Sequence, residues 1–264
     1  MKSAVMPTRP EFAIIGAQKS ATTFLQDALQ THPEIFIPNG ELAIFEDPNY
    51  QDFDEEKFES YFVLGEKAGM VGLKRPSYLH ESEVPPRLAQ HLPDLKLVVV
   101  LRDPIERAIS AYYHQVRQGF APLEDVNIGL RAILRQEWEK EYPRTSEVVE
   151  YGKYYSHLKN YLQYYNREQL FLTTYRSIKE DQDSTIRSIL QFIGDDKDFD
   201  TIDKLNRRSN KGCYSKVRLR LIRSINPFRF KYFHGGKRMR PKDDMNLLSQ
   251  VFIRLVLGID QIIL

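Results

Sequence analysis

A lysine and several hydroxyl groups follow an apolar run near the start of the chain. Residues 14–25 read IIGAQKSATTFL: an apolar stretch, a short loop with Lys19, and a helix-like continuation. Backbone N–H groups at the start of a helix point towards a bound anion, and the helix dipole favours negative charge there. Beside the lysine, the loop supplies Ser20, Ala21, Thr22 and Thr23. This pattern predicts a phosphate-binding loop between a strand and a helix.

The spacing distinguishes this loop from the nucleoside-triphosphate loop, GxxxxGK[ST]. Counted from Gly16, the second glycine of that motif would fall on Ala21 and its lysine on Thr22, whereas the lysine stands at position 19. The chain therefore keeps the strand–loop–helix arrangement without the ATP motif. An ordinary strand–turn–helix corner is the alternative interpretation.

A second candidate anion site follows the most strand-like run of the sequence, Leu95–Leu101. Arg102 lies at the predicted strand exit, Pro104 suits the first position of a helix, and Ser110 would lie two turns into that helix. Ligands of open α/β sheets bind at the carboxyl ends of the strands. A guanidinium and a hydroxyl at that edge can hold one phosphate together, although a surface salt bridge and an incidental serine would look the same in sequence.

Strand-like and helix-like runs alternate along the chain. This alternation predicts an α/β, P-loop-like three-layer fold in which helices flank a central, mostly parallel sheet. The predicted strands are Phe12–Gly16, Met70–Lys74, Leu95–Leu101 and Gln169–Tyr175. The predicted helices lie near 22–31, 85–92, 104–118, 126–141, 153–165, 183–193 and 243–264. We expect one domain over residues 1–264, because no linker or repeat interrupts it.

Composition restricts the class of protein. The chain has 264 residues, one cysteine (Cys213) and a formal net charge of +2. It contains no apolar run of the roughly 20 residues that span a bilayer, and no signal-peptide-like core near its start. One cysteine cannot form an intrachain disulfide, which suits a reducing compartment. We therefore expect a cytoplasmic protein.

Positive charge is concentrated late in the chain. Residues 204–242 include 14 lysines and arginines and no acidic residue. Such a stretch favours a polyanion or an anionic membrane face as a partner, so peripheral membrane contact is one interpretation. A solvated surface with packed side-chain stems is the other.

The two candidate anion sites together resemble sulfotransferases that use 3′-phosphoadenosine 5′-phosphosulfate (PAPS). The loop around Lys19 is similar to their 5′-phosphosulfate loop, and Leu101–Ser110 is similar to their 3′-phosphate segment. The resemblance implies PAPS as cofactor, with 3′-phosphoadenosine 5′-phosphate (PAP) as product. It assigns cofactor binding to Lys19, Ser20, Ala21, Thr22, Thr23, Arg102 and Ser110.

Further segments resemble the heparan-sulfate, carbohydrate-type branch of that family. Glu41–Phe45 is similar to its acidic segment, and Lys74–Tyr78 to its Lys-x-Pro-x-Tyr segment. A late lysine–glycine loop that would close over the nucleotide comprises Lys211, Gly212, Cys213 and Tyr214. The resemblance covers roughly residues 10–215. Ala21 departs from it, because many members have glycine there.

The resemblance implies a role in the reaction for four charged residues of these segments. Sulfuryl transfer needs a base for the acceptor, a cation for the leaving oxygen and fixed donors for the phosphates. Glu41 is the candidate base, although a surface glutamate in an acidic stretch is the alternative, and a base at this position would need burial. Lys19 would stabilise the leaving oxygen, Lys74 would assist at the sulfonate or orient Glu41, and Arg75 would touch an anionic acceptor.

The acceptor is the least determined part of the interpretation. We expect a hydroxyl or amine of a glycan or glycoconjugate, with an anionic polymer as one candidate, and we expect no nucleic acid. We also expect no metal, since the six histidines lack ligand spacing. The alternatives are a P-loop kinase or NTPase, a small-molecule or lipid sulfotransferase, and a non-catalytic protein that binds polyanions or membranes. The oligomeric state is not predicted.

Overall fold

Five parallel strands form the central sheet of this computed structural model, which describes residues 9–65 and 68–194, residue 219 and two short strands beyond it. The strands are β1 (Phe12–Gly16), β2 (Ile35–Phe36), β3 (Met70–Lys74), β4 (Lys96–Leu101) and β5 (Leu170–Thr174). Their order is β2-β3-β1-β4-β5. The predicted parallel α/β sheet is confirmed, and β2 is an edge strand too short to be recognised from the sequence.

Nine α-helices accompany these strands within the described residues. They are α1 (Thr22–Leu29), α2 (Glu55–Ser60), α3 (Val84–His91), α4 (Pro104–Gln118), α5 (Val126–Leu134), α6 (Glu147–Glu150), α7 (Tyr154–Tyr161), α8 (Tyr175–Glu180) and α9 (Gln182–Ile193). The helix predicted over 126–141 ends early, at Leu134. The short helices α2, α6 and α8 were not predicted, because one or two turns give too little periodicity.

Alternation along the strands separates two apolar layers. Ala13 and Ile15 of β1 pack with one buried cluster, which includes residues of α2, α3 and α7. Phe12 and Ile14 pack with the other, which includes residues of α1, α8 and α9. Successive side chains of a strand point to opposite faces, so this division makes three layers.

The described residues divide into two compact units. The first lies within Met1–Pro104 and Lys153–Asn210 and contains the five-stranded sheet. The second lies within Ile105–Gly152 and Lys211–Leu264. Its buried cluster is formed by Ala111, Tyr112, Val116, Ala121, Ile133, Val148 and Leu219. The expectation of one domain over 1–264 stays a prediction.

The basic stretch 204–242 and the helix predicted over 243–264 lie outside the described residues, apart from Leu219 and two strands. These are β6 (Lys231–Tyr232) and β7 (Arg238–Met239), which pair antiparallel. No helix in the described part of the chain is both long enough and apolar enough to cross a membrane.

Gly72 makes room for an aromatic ring in the middle of the sheet. It lies opposite Phe12 on the neighbouring strand, and a Cβ at Gly72 would come within 2.2 Å of the Phe12 ring. We therefore expect Gly72→Ala to lower the free energy of unfolding by about 1–3 kcal/mol, measured by urea denaturation. The loss should be smaller in a Phe12→Leu background. An equal loss in both backgrounds would contradict this account of the packing.

Candidate functional site

The carboxyl ends of three adjacent strands bring the predicted site residues of the first unit together. β1 lies between β3 and β4, so the loop after β1 is flanked by the residues that follow the other two strands. Backbone hydrogen bonds hold these segments together. The Ala17 N–H donates to the Val100 carbonyl at 2.8 Å, and the Arg75 N–H donates to the Ile14 carbonyl at 3.0 Å. This edge is where ligands of such sheets bind.

The loop between β1 and α1 is tightly folded. A Cβ on Gly16 would come within 2.6 Å of Leu79, so only glycine fits there without displacement. Lys19 and Ala21 have φ values of 71° and 69°, in the left-handed region. That conformation costs a residue with a Cβ about 1–2 kcal/mol. Glycine adopts this conformation freely. Ala21 therefore has the backbone conformation that suits the glycine found at this position in many sulfotransferases.

The start of α1 has a buried hydroxyl without a partner among the described residues and no side-chain cap. Ser20 is fully buried, and its Oγ has no hydrogen-bond partner among them. Ala21 precedes the helix without a capping side-chain bond, and the first turn of α1 contains no acidic residue. A buried hydroxyl is normally satisfied, and the first N–H groups of a helix need acceptors. The loop therefore fits an anionic group such as a phosphate or sulfate.

Lys74 connects this loop to the candidate base. The side chain ends β3, is only 5% exposed, and has its Nζ 3.4 Å from Glu41 Oε1. The same Nζ lies 3.4 Å from Thr23 Oγ1 in the first turn of α1. A buried ammonium needs partners of this kind. Lys74 thus links two of the predicted site segments.

Arg75 lies between two carboxylates. Its Nη1 donates to Glu41 Oε2 at 3.2 Å, while Nε and Nη2 both donate to Glu46, Nε at 2.7 Å. Burial acts to lower the pKa of Arg75, but the hydrogen bonds to Glu46 and the charges of Glu46 and Glu41 outweigh it, so the pKa is raised. Ser77 Oγ also donates to Glu46, at 2.6 Å. The predicted contact of Arg75 with an acceptor stays a prediction.

Tyr78 fixes the segment that contains Glu41. Its hydroxyl donates to the Leu42 carbonyl at 2.5 Å and accepts from the Phe45 N–H at 3.3 Å. Burial raises the pKa of Tyr78, so the hydroxyl stays protonated at neutral pH and can donate. Tyr161 in turn donates to the Tyr78 carbonyl at 2.8 Å. This positioning role was not predicted, although the Lys-x-Pro-x-Tyr pattern marks the residue.

Arg102 follows β4 and touches the loop that contains Lys19. Its Nη1 donates to the Lys19 carbonyl at 3.3 Å, and its guanidinium lies 4.7 Å from the centre of the Tyr175 ring. Tyr154 donates to the Arg102 carbonyl at 2.9 Å. These contacts hold Arg102 at the sheet edge beside the candidate anion site.

Two parts of the predicted site do not belong to the described residues of the first unit. Ser110 lies in α4, within the second unit. That Ser110 and Arg102 bind one phosphate together stays a prediction. Lys211, Gly212, Cys213 and Tyr214 lie outside the described residues. The described part of the chain contains no group of three or more His, Cys, Asp or Glu that could hold a metal ion.

Glu41 is largely exposed at this edge of the sheet. Its side chain is 42% exposed and contacts two cations, Lys74 and Arg75. The burial that the sequence analysis required of a base at this position is therefore not present in this structure. It lines a cavity of about 240 Å³. The other lining residues are Leu42, Ala43, Ile44, Asn49, Asp52, Phe53, Asp54, Lys57, Phe58 and Tyr61. A cleft lined by both apolar and polar side chains therefore opens beside the carboxylate.

Residues 9–212 match the family model described as "Sulfotransferase domain". The chain belongs to the sulfotransferase family. The match includes the loop after β1, Glu41, Lys74 and Arg102, all of which the sequence analysis had assigned by resemblance.

Several relatives are named for sulfotransferase activity. Membrane-associated sulfotransferase kil1 of Dictyostelium discoideum is 35% identical over 111 residues, which is 41% of this chain and 23% of that protein. The mouse bifunctional heparan sulfate N-deacetylase/N-sulfotransferase 4 is 25% identical over 79% of this chain and 25% of its own length. Mouse heparan sulfate glucosamine 3-O-sulfotransferase 3B1 is 25% identical, over 70% and 46%. The chain thus spans less than half the length of these relatives.

Solved structures share the fold. A sulfotransferase from Alicyclobacillus acidocaldarius is 26% identical, with a TM-score of 0.62 over 81% of this chain and 90% of that one. Mouse sulfotransferase SULT7A1, solved in complex with PAP, is 17% identical, with a TM-score of 0.51 over 92% and 76%. The second likeness concerns the fold alone. The predicted P-loop-like α/β fold is confirmed.

The buried hydroxyl of Ser20 gives a test of the anion site in the ligand-free protein. Ser20→Ala removes an unsatisfied buried polar group, so we expect the free energy of unfolding to rise by about 1 kcal/mol in urea denaturation. Ser60→Ala is the control, because the Ser60 hydroxyl donates to the Lys57 carbonyl at 2.6 Å and its loss should lower stability or leave it unchanged. A clear loss of stability in Ser20→Ala would mean that the hydroxyl is satisfied.

Proposed function

We propose that this chain transfers a sulfuryl group from PAPS to a hydroxyl or amine of a glycan or glycoconjugate. The observation that carries the proposal is the position of Lys74, whose buried Nζ lies 3.4 Å from both Glu41 Oε1 and Thr23 Oγ1. A single cation thereby joins a candidate base to a loop suited to anions. Membership of the sulfotransferase family supports the same reaction.

The residues of the first loop fit the 5′ end of PAPS. The Ser20 hydroxyl, which has no partner among the described residues, would hold it together with the first N–H groups of α1 and the side chains of Lys19, Thr22 and Thr23. Arg102 would hold the 3′-phosphate. PAPS supplies the sulfuryl group together with a phosphate leaving group. Lys19 would supply positive charge to stabilise the negative charge of that leaving group.

Glu41 would accept the proton of the acceptor. Its carboxylate is partly exposed and lines the cavity of about 240 Å³, so an acceptor hydroxyl can reach it. The burial that a base needs would then come from the acceptor, which covers the carboxylate when it binds. Lys74 would keep the carboxylate directed towards the loop, which favours an aligned attack.

The walls of this cavity support a sugar ring as acceptor. Phe53 and Tyr61 offer aromatic surface, while Asn49 and Glu41 offer hydrogen-bonding groups. Pockets that bind small polar ligands combine apolar walls with a few directed polar groups. Some of the relatives are named as heparan sulfate sulfotransferases, and heparan sulfate is a glycan, which agrees with this class of acceptor. The kinase alternative has no comparable support.

Replacement of the candidate base tests the reaction. We expect Glu41→Gln to lower kcat by about 10²–10⁴-fold, because a positioned general base contributes that much. Activity is measured with PAPS and a panel of unsulfated and partly sulfated oligosaccharides. PAP affinity should stay unchanged, since Glu41 is not assigned to the cofactor. Glu56→Gln, at an exposed position of α2, is the matched control and should behave as the parent. Full activity in Glu41→Gln would refute the assigned role.

Replacement of Arg102 tests the cofactor side. Arg102→Ala should weaken PAP binding by about 10–100-fold in calorimetry, the value of a charged hydrogen bond to phosphate. Arg176→Ala serves as control, because Arg176 is a highly exposed arginine that pairs with Glu180 within α8. Unchanged affinity in Arg102→Ala would remove the assignment of the 3′-phosphate to this residue.

A further inference from the structure

One guanidinium is shared unequally by two carboxylates beside the candidate base. Arg75 uses both Nε and Nη2 for Glu46, and only Nη1, at 3.2 Å, for Glu41. The side chains of Arg75 and Glu46 are 23% and 13% exposed, whereas that of Glu41 is 42% exposed. The paired contact is therefore also the more buried one.

Glu46 is itself anchored. Its Oε1 accepts from Ser77 Oγ at 2.6 Å as well as from Arg75 Nε at 2.7 Å. Ser77 follows Arg75 by two residues, so the segment directly after β3 supplies both donors. A guanidinium forms its strongest bond with a carboxylate through two parallel N–H groups. In this arrangement, Glu46 occupies that side of Arg75.

The consequence concerns Glu41. Each of its carboxylate oxygens has one charged neighbour, Lys74 at Oε1 and Arg75 at Oε2. If Arg75 instead donated two N–H groups to Glu41, these donors would engage lone pairs of the carboxylate that the acceptor hydroxyl needs. Oε2 would also lose the open geometry that an acceptor hydroxyl needs.

We propose that Glu46 is a positioning residue that restrains Arg75 and so leaves Glu41 Oε2 available to the acceptor proton. The proposal rests on the function proposed above. It gives Arg75 a different role from the acceptor contact expected from the sequence: the arginine takes no part in the transfer, and Glu46 keeps it from pairing with Glu41 through two N–H groups.

Rescue by a second substitution tests this role. Glu46→Gln removes the charge that holds Arg75, and we expect kcat to fall about tenfold with PAP affinity unchanged. Adding Arg75→Met to Glu46→Gln should restore kcat to within about threefold of the parent. The double variant lacks the guanidinium that binds Glu41 through two N–H groups in the single variant. A merely structural effect of Glu46→Gln would not be relieved by a second loss. A double variant as slow as Glu46→Gln, or slower, would overturn the proposal.

The adjacent residue offers a matched control. Asp47 also pairs with an arginine, Arg87, at 3.0 Å, but that arginine has no contact with Glu41 among those described. Asp47→Asn should therefore keep the parent kcat. An equal loss in Asp47→Asn and Glu46→Gln would show that the whole segment, rather than Arg75, responds, and would overturn the proposal.

A structural measurement separates this inference from the proposed function. If the parent protein transfers no sulfuryl group to any acceptor, the proposed function fails, and crystal structures of the parent and Glu46→Gln without substrate decide the inference alone. In the variant we expect Arg75 to turn and donate two N–H groups to Glu41. An unchanged Arg75 with its single contact to Glu41 would overturn the proposal.

Discussion

The rest of the site depends on the contacts that the buried ammonium of Lys74 makes with Glu41 and Thr23. A charge at this depth is tolerated only with close partners, and its partners are Glu41 and Thr23, each at 3.4 Å. Those two residues come from the segment after β2 and from the first turn of α1. The requirement to compensate one charge therefore fixes the distance between a carboxylate and an anion-binding loop. In-line group transfer depends on such fixed distances more than on any single reactive side chain.

The sheet order makes this compensation possible. Because β1 lies between β3 and β4, the residues after all three strands reach one edge: the loop at Lys19, the pair Lys74 and Arg75, and Arg102. Close packing holds the loop at that edge, since Gly16 leaves no space for a side chain against Leu79. The hydroxyl of Tyr78 then fastens the segment of Glu41 to the end of β3. Family membership agrees with an edge built for a sulfonated nucleotide.

Much of this edge could be predicted from the sequence, and the remainder could not for physical reasons. The strands Phe12–Gly16 and Met70–Lys74 were predicted at their observed bounds, because buried parallel strands are continuous apolar runs. Strand β2 has two residues and α6 has four, which is too short for any periodicity. The exposure of Glu41 and the unequal sharing of Arg75 depend on side-chain geometry between segments about thirty residues apart, which no local pattern encodes. The roles of Ser110 and of Lys211–Tyr214 remain predictions from resemblance.

Calorimetric titration with PAP in the presence of EDTA, compared with ATP in the presence of magnesium, tests the central claim most directly. The account predicts that PAP binds with micromolar affinity without any metal ion, and that ATP binds weakly or not at all. This prediction follows from the proposed site, in which one phosphate would meet the loop at Lys19 and the other the guanidinium of Arg102. Absence of PAP binding, or binding of ATP that requires magnesium, would contradict the account and return the chain to the broader class of P-loop nucleotide-binding proteins.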